Sequence, residues 1–286
     1  VALAAIADEL AGGRPPAVAE LRDRLYATLH CRTAWPVRVR TSGGGAAFEE
    51  RLHAANHGVG PWQTGWTVRE ALPEGLVHAE RDGLPVWVRA DRLRGDPTPG
   101  ASVAVRIPNA LRRFSPGYYV AVGDAVAGDH IAHVRCYWHL RAEGAPVALD
   151  RLTRVLNAAE VAFRFKVLLD PARYPRTDAG VLYLPTADLA RSWALVADVY
   201  ADLASHLVPT TSLFVHPVAP GVGAADDISS GASFGLGRAQ TLADVVLALG
   251  DAGRDAARMA EAITAAGIDP ARPFAASSAT VFPTWH

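Results

Sequence analysis

FRFKVLLDPARYPRTDAGVLYL, residues 163–184, reads as two strands flanking one turn-rich loop. Side chains along a strand alternate faces with period two. Phe163, Phe165 and Val167 therefore face a core, while Arg164 and Lys166 share the opposite face. The loop DPARYPRTD then returns the chain into GVLYL. One apolar and one polar face on a strand is the pattern of an antiparallel sheet. Lys166 also stands out by composition: of 28 cationic side chains it is the only lysine, and the rest are arginine. A chain that writes its charge as arginine throughout makes its single lysine a candidate for chemistry that a guanidinium cannot perform. Arginine stays protonated at any usable pH, whereas a buried lysine can act as base or amine nucleophile. A solvated Arg-x-Lys face, its lysine retained by drift, is the plainer alternative.

Working outward, IAHVRCYWHL (131–140) has the cleanest alternation in the chain. Ala132, Val134, Cys136, Trp138 and Leu140 line one face; His133, Arg135, Tyr137 and His139 line the other, which a wet sheet face would also select. A helix from about Leu149 to Glu160 leads into the Lys166 strand. Beyond GVLYL, Thr186 is placed to cap a helix running to His206, with Asp188 in its first turn. Leu189, Trp193, Val196, Val199, Tyr200 and Leu203 form its buried stripe.

Residues 1–57 read as three helices: one before the Gly12–Gly13 break, one over 17–30 and one over 46–56. In the second, Val18, Leu21, Leu25 and Leu29 recur at helical spacing. From Gly58 short alternating runs take over (TVRE, LVHAE, LPVWVRA, VAVRI), with turns at Pro73–Gly75 and Asp82–Gly83. GYYVAVGDA, near 117–125, reads as another strand. Residues 217–237 read as a long glycine-rich loop ending near Arg238, and loops of such length inside a compact domain usually carry function. Helices near 239–249 and 252–266 close the pattern. The expected organisation is a helical segment (1–57), a β-rich part (58–128) and a core (129–286), the last two forming either one domain or two.

Composition bounds the function. The chain of 286 residues is 50% hydrophobic with net charge −1. It has no electrostatic footprint for nucleic acid or an acidic membrane. No apolar run reaches the length of a bilayer span. Cys31 and Cys136 have neither metal-type nor redox spacing, which suits a reducing cytoplasm. VALAAIADEL lacks the basic start of a signal peptide. No P-loop, Rossmann fingerprint or nucleophile elbow is present. His130 and His133, three apart on a strand, point to opposite faces and are no metal pair. Asp226–Asp227 reads as a solvated turn.

If the polar faces of His133/Arg135/Tyr137/His139, Arg164/Lys166 and Arg176/Asp178 adjoin, several guanidiniums surround one lysine. Guanidiniums bind phosphate bidentately, and neighbouring cations favour a neutral lysine. Such a lysine beside a bound phosphate can remove the α-proton of a phosphothreonine or phosphoserine while the arginines stabilise the leaving phosphate. Tyr137 or His139 would protonate the departing oxygen. Lys166 as a Schiff-base amine is a second enzymatic possibility, and a peptide-binding partner without catalysis is a third.

RCYWHLRAEGAP, AFRFKVLLDPARYPRTDAGVLYLP and SFGLGR resemble the HopA-type effector-like family. The resemblance runs from GVGPWQTGW to Arg238 and is strongest between 117 and 240. It implies a phosphothreonine/phosphoserine lyase that converts a phosphorylated precursor peptide to dehydrobutyrine or dehydroalanine, as in lanthipeptide and thioamitide maturation. It implies an α+β fold related to phosphothreonine lyases, with N-terminal helices and a mainly antiparallel sheet carrying helices on one face. It further implies a heteromeric complex with a kinase-like partner, and no metal, nucleotide or organic cofactor. A remoter likeness, to other phosphothreonine lyases, sets Arg135-x-Tyr137 where a Lys-x-His strand stands. Lys166 or Arg164 falls on the base strand, and Arg176 and Arg238 at later phosphate-binding positions. Tyr137 replaces the expected acid histidine unless His139 serves. GASFG departs from the acidic residue expected before SFG.

Overall fold

The computed structural model describes residues 17–35, 45–112, 114–126, 133–227, 233–250, 252, 255–275 and 282–285. The helix expected before Gly12, together with His130 and Ala132, lies outside them.

Among the described residues, two antiparallel sheets and six α-helices make up the architecture. The smaller sheet holds β1 (Trp62–Ala71), β2 (Leu76–Arg81), β3 (Leu84–Arg89), β4 (Leu93–Arg94) and β5 (Ser102–Arg106), in the order β3-β2-β1-β5-β4. Its β2–β3 hairpin closes through Asp82 and Gly83, both at positive φ (51° and 77°). That is the two-residue turn that Asp-Gly favours. Trp66, Val68, Val77, Ala79, Val103 and Val105 form its own small core.

The larger sheet contains β6 (Tyr118–Val122), β7 (His133–Trp138), β8 (Arg164–Leu168), β9 (Gly180–Pro185), β10 (His216–Ala219) and β11 (Val222–Asp226), in the order β10-β11-β7-β9-β8-β6. Strand β6, which falls within 58–128, is thus an edge of the larger sheet. The hairpin β10–β11 falls, all but His216, in the stretch 217–237 that the sequence marks as loop. Its alternation is hidden because β11, VGAAD, is buried along its whole length and built of small residues. A side chain at Gly223 would strike Val215, so only glycine permits that approach.

One face of this sheet follows the predicted alternation. Val134, Cys136, Trp138, Leu140, Phe165, Val167, Leu182 and Leu184 pack in one core with helices α3 (Gly144–Ala158) and α4 (Leu189–Leu203). Fully burying one such large side chain contributes about 1.5–3 kcal/mol. Helix α3 begins five residues before the expected start, because Pro146 sits in its first turn, where a missing N–H costs nothing. Helix α4 begins after a 3₁₀ turn at Thr186–Asp188, with no side-chain cap from Asp188. Its stripe is as expected: Trp193, Val196, Val199 and Leu203 are buried, with Leu189 and Tyr200 against the core. Helix α2 (Gly45–Ala54) adds Phe48 and Leu52 to the same core.

Helices cover part of the second face too. Helix α1 (Val18–Leu25) continues as a π-helical turn, Tyr26–His30, and packs with α5 (Phe234–Leu249), which packs in turn with α6 (Ala256–Ala265). Leu21, Leu25 and Leu29 meet Tyr137, Val181 and Phe234 there in a second core. Helix α5 also starts earlier than expected, taking in Ser233 as its N-cap position and Phe234–Arg238 as its first turns.

Candidate functional site

The register of β7, β9 and β8 builds a grid on that second face. Arg135 and Arg164 both pair with Tyr183 of the intervening strand; Tyr137 and Lys166 both pair with Val181. Two rows result: Arg135–Tyr183–Arg164, and Tyr137–Val181–Lys166. Residues flanking one intervening strand sit about 9.6 Å apart, two spacings of the sheet. Four residues expected at the site from the sequence, Arg135, Tyr137, Arg164 and Lys166, are thus neighbours on this face.

The sequence reading missed the group at their centre. The Tyr183 ring has the Arg135 guanidinium at 5.3 Å, the Arg164 guanidinium at 5.6 Å and the Lys166 amine at 5.6 Å from its centroid. A second ring, Tyr118 on β6, lies 4.7 Å from the same amine. Aromatic faces attract cations by their quadrupole, so the two tyrosines form a platform that holds the cluster. The alternation of GVLYL already sets Val181 and Tyr183 on one face, and that was the available signal.

The cations differ in what occupies them. Arg135 is buried and donates from a terminal nitrogen to Asp227 Oδ1 at 2.6 Å, while its Nε has no acceptor among the described residues. Asp227 is therefore an ion-pair partner, nearly buried, and no solvated turn. Arg164 and Lys166 are half-buried and form no ion pair or side-chain hydrogen bond among the described residues.

Arg176 and Asp178 form a separate unit. The Arg176 guanidinium engages Asp178 through two nitrogens, one bond being 2.7 Å. It also donates to the Tyr26 hydroxyl at 3.1 Å and to Cys31 Sγ at 3.0 Å, while Tyr26 donates to Asp178 Oδ2 at 2.8 Å. Burial alone would raise the Asp178 carboxyl; the Arg176 charge and hydrogen bonds outweigh it and hold the group well below the usual carboxylate range. With Nε and one terminal nitrogen committed in this way, Arg176 fastens the β8–β9 loop to the π-helical turn, a structural role in place of the phosphate contact expected of it.

Arg238 lies over the Phe234 ring at 5.5 Å and donates to the Ala275 carbonyl at 2.9 Å. Its buried Nε also lacks an acceptor among the described residues. Phe234 links it to the grid, its ring 6.1 Å from that of Tyr137.

The two acid candidates part company here. Tyr137 is buried within the grid, and burial pushes its phenol well above the usual range, so it stays protonated. His139, beyond the end of β7, is held by Thr210: its Nδ1 lies 2.9 Å from the Thr210 carbonyl and 3.0 Å from the hydroxyl. Burial lowers its basicity.

A histidine that the sequence did not single out completes the roof. His30, from the π-helical turn, is buried with Nδ1 2.8 Å from Ser212 Oγ. Its ring lies edge-on to Tyr137 at 5.2 Å and stacks on Phe214 at 5.8 Å. Burial drives its pKa down to about 4, so it is neutral near pH 7. Short π-helical turns within helices often mark functional sites. Among the described residues no cluster of three or more His, Cys, Asp or Glu could hold a metal ion, and no helix is long and apolar enough to cross a membrane.

Fold and site together define an α+β protein with a cationic, tyrosine-lined site on an antiparallel sheet. The HopA1 effector protein family matches residues 110–275, and the chain belongs to it. Two solved structures are similar over 96% of this chain and 95% of theirs. The effector protein from Pseudomonas syringae pv. tomato strain DC3000 is 18% identical with a TM-score of 0.57. The effector protein from Pseudomonas syringae pv. syringae strain 61 is 17% identical with a TM-score of 0.54. At that identity the likeness establishes the fold. No curated protein matches the chain.

Proposed function

We propose that the protein is a phosphothreonine/phosphoserine lyase acting on a phosphorylated precursor peptide in the cytoplasm, with a kinase-like partner that installs the phosphate. The observation that carries this reading is the grid: Arg164 and Lys166, without ion-pair partners among the described residues, on one sheet face with Arg135 and a protonated Tyr137. Arg164, with Arg135, takes the phosphate through charge-assisted hydrogen bonds, each contributing about 1.5–3 kcal/mol. Lys166 accepts the α-proton, the Cβ–O bond breaks, and phosphate departs, leaving a Cα=Cβ double bond. Tyr137 is the better-placed proton donor to the leaving oxygen, because it shares the register row of Lys166 while His139 is committed to Thr210. Arg176 and Asp178 support the loop behind this site, and Arg238 braces Phe234.

The test is mass spectrometry of phosphothreonine peptides incubated with wild type and Lys166→Arg. Loss of phosphoric acid by wild type and not by the variant is expected, since arginine keeps the charge and cannot accept a proton. Failure of wild type to eliminate, with partner kinase and full-length precursor present, would overturn the lyase and leave a peptide-binding partner.

A further inference from the structure

The smaller sheet, outside the residues that match the family, carries a second group of cations with no carboxylate partner among the described residues. Trp62 opens β1, and Arg106 stands directly opposite it on β5. Arg94 lies on β4 across from Ala104, whose short side chain leaves room for the indole between them. The guanidinium carbons of Arg94 and Arg106 lie 4.1 and 4.5 Å from the Trp62 ring centroid. Other arginines of this sheet are neutralised: Arg69 by Glu80, Arg81 by Asp82, Arg89 by Asp91. Arg94 and Arg106 have no such partner among the described residues. Two further donors at the same place, Trp62 Nε1 and Arg106 Nε, are shielded from solvent and lack an acceptor among those residues.

Two positive charges against one indole repel each other, and the ring quadrupole offsets only part of that cost. An acceptor-rich anion relieves it: each guanidinium presents a planar fork matched to the paired oxygens of a carboxylate or phosphate. We infer that Trp62, Arg94 and Arg106 form an oxyanion-binding site, taking a carboxylate or phosphate group with the indole as its apolar wall. The site stands independently of the lyase reading, since it shares no residue with the larger sheet.

The test uses protein labelled with 5-fluorotryptophan, the Trp62 fluorine resonance being assigned by its loss in Trp62→Phe. Potassium phosphate and a hexaglutamate peptide are titrated separately, with potassium chloride at matched ionic strength as control. A saturable shift of the Trp62 resonance by either anion, and not by chloride, is expected. Arg94→Gln and Arg106→Gln should each weaken binding about tenfold or more, and Lys166→Met should leave it unchanged. Saturation by phosphate alone assigns free phosphate; saturation by hexaglutamate assigns acidic peptide side chains. No saturable shift, or one that survives in Arg94→Gln with Arg106→Gln, would overturn the site. Arg94 is exposed, so Arg94→Gln by itself decides the matter if Arg106→Gln fails to fold.

Discussion

Asp178 and His30 show how single residues set the chemistry and the pH range of this protein. Asp178 is buried against Arg176, and its folded-state carboxyl lies below the unfolded value of about 3.9. Its contribution to stability is therefore complete above pH ~4 and is lost as pH falls below that value. Asp178→Ala leaves the Arg176 charge buried and is expected to cost about 3–5 kcal/mol in urea unfolding at pH 7. His30 works in a different window. Its pKa falls from an ordinary value near 6.5 to about 4 on folding, so the unfolded chain binds more protons between those values. Stability should drop by about 3 kcal/mol as pH is lowered from about 6.5 to 4. In His30→Gln that part of the slope should vanish, which unfolding midpoints measured across the range would reveal. Tyr183 makes a third prediction. Tyr183→Leu removes the ring shared by three cations and should weaken phosphopeptide binding about tenfold. Tyr183→Phe keeps the quadrupole and should bind nearly as wild type by calorimetry.

At the scale of elements, the site depends on how closely α5 approaches the π-helical turn. Gly235, in the first turn of α5, lies against His30; a Cβ there would meet the ring carbons and Nε2 at 2.2–2.5 Å. Helix propensity alone favours Gly→Ala by about 1 kcal/mol. Gly235→Ala is nevertheless expected to destabilise, by about 1–3 kcal/mol, because a buried ring must shift from its packed position. Thermal unfolding of the single variant decides which effect wins. The same approach explains why glycine occupies the second position of FGLGR, a fact that periodicity cannot supply. Strands were legible where polar and apolar residues alternate, as in β7 and β8. They were illegible in β11, where Val222, Gly223, Ala224 and Ala225 are all buried and apolar, so no alternation of polar and apolar residues marks the period.

At the scale of the whole molecule, each sheet has its own core: Trp66, Val68 and their neighbours in the smaller, Trp138, Phe165 and their neighbours in the larger. Few buried side chains support the smaller one, so it should open at lower free energy. Val68→Ala is expected to raise amide hydrogen exchange throughout β1, β2 and β5 while leaving β7, β8 and β9 protected, as read by mass spectrometry.

The sequence by itself determined the class of fold, the strands on either side of DPARYPRTD, and the candidacy of Lys166, because side-chain period and residue chemistry are local properties. Only the tertiary structure decided which cations are paired. Arg164 and Arg176 look alike along the chain, yet one faces Tyr183 with no carboxylate among the described residues and the other is engaged by Asp178, Tyr26 and Cys31. Tyr26 and Cys31 come from a helical turn some 150 residues away in sequence, 150 for Tyr26 and 145 for Cys31. Pairing across such separations is a matter of register and packing, and neither is written in any local pattern.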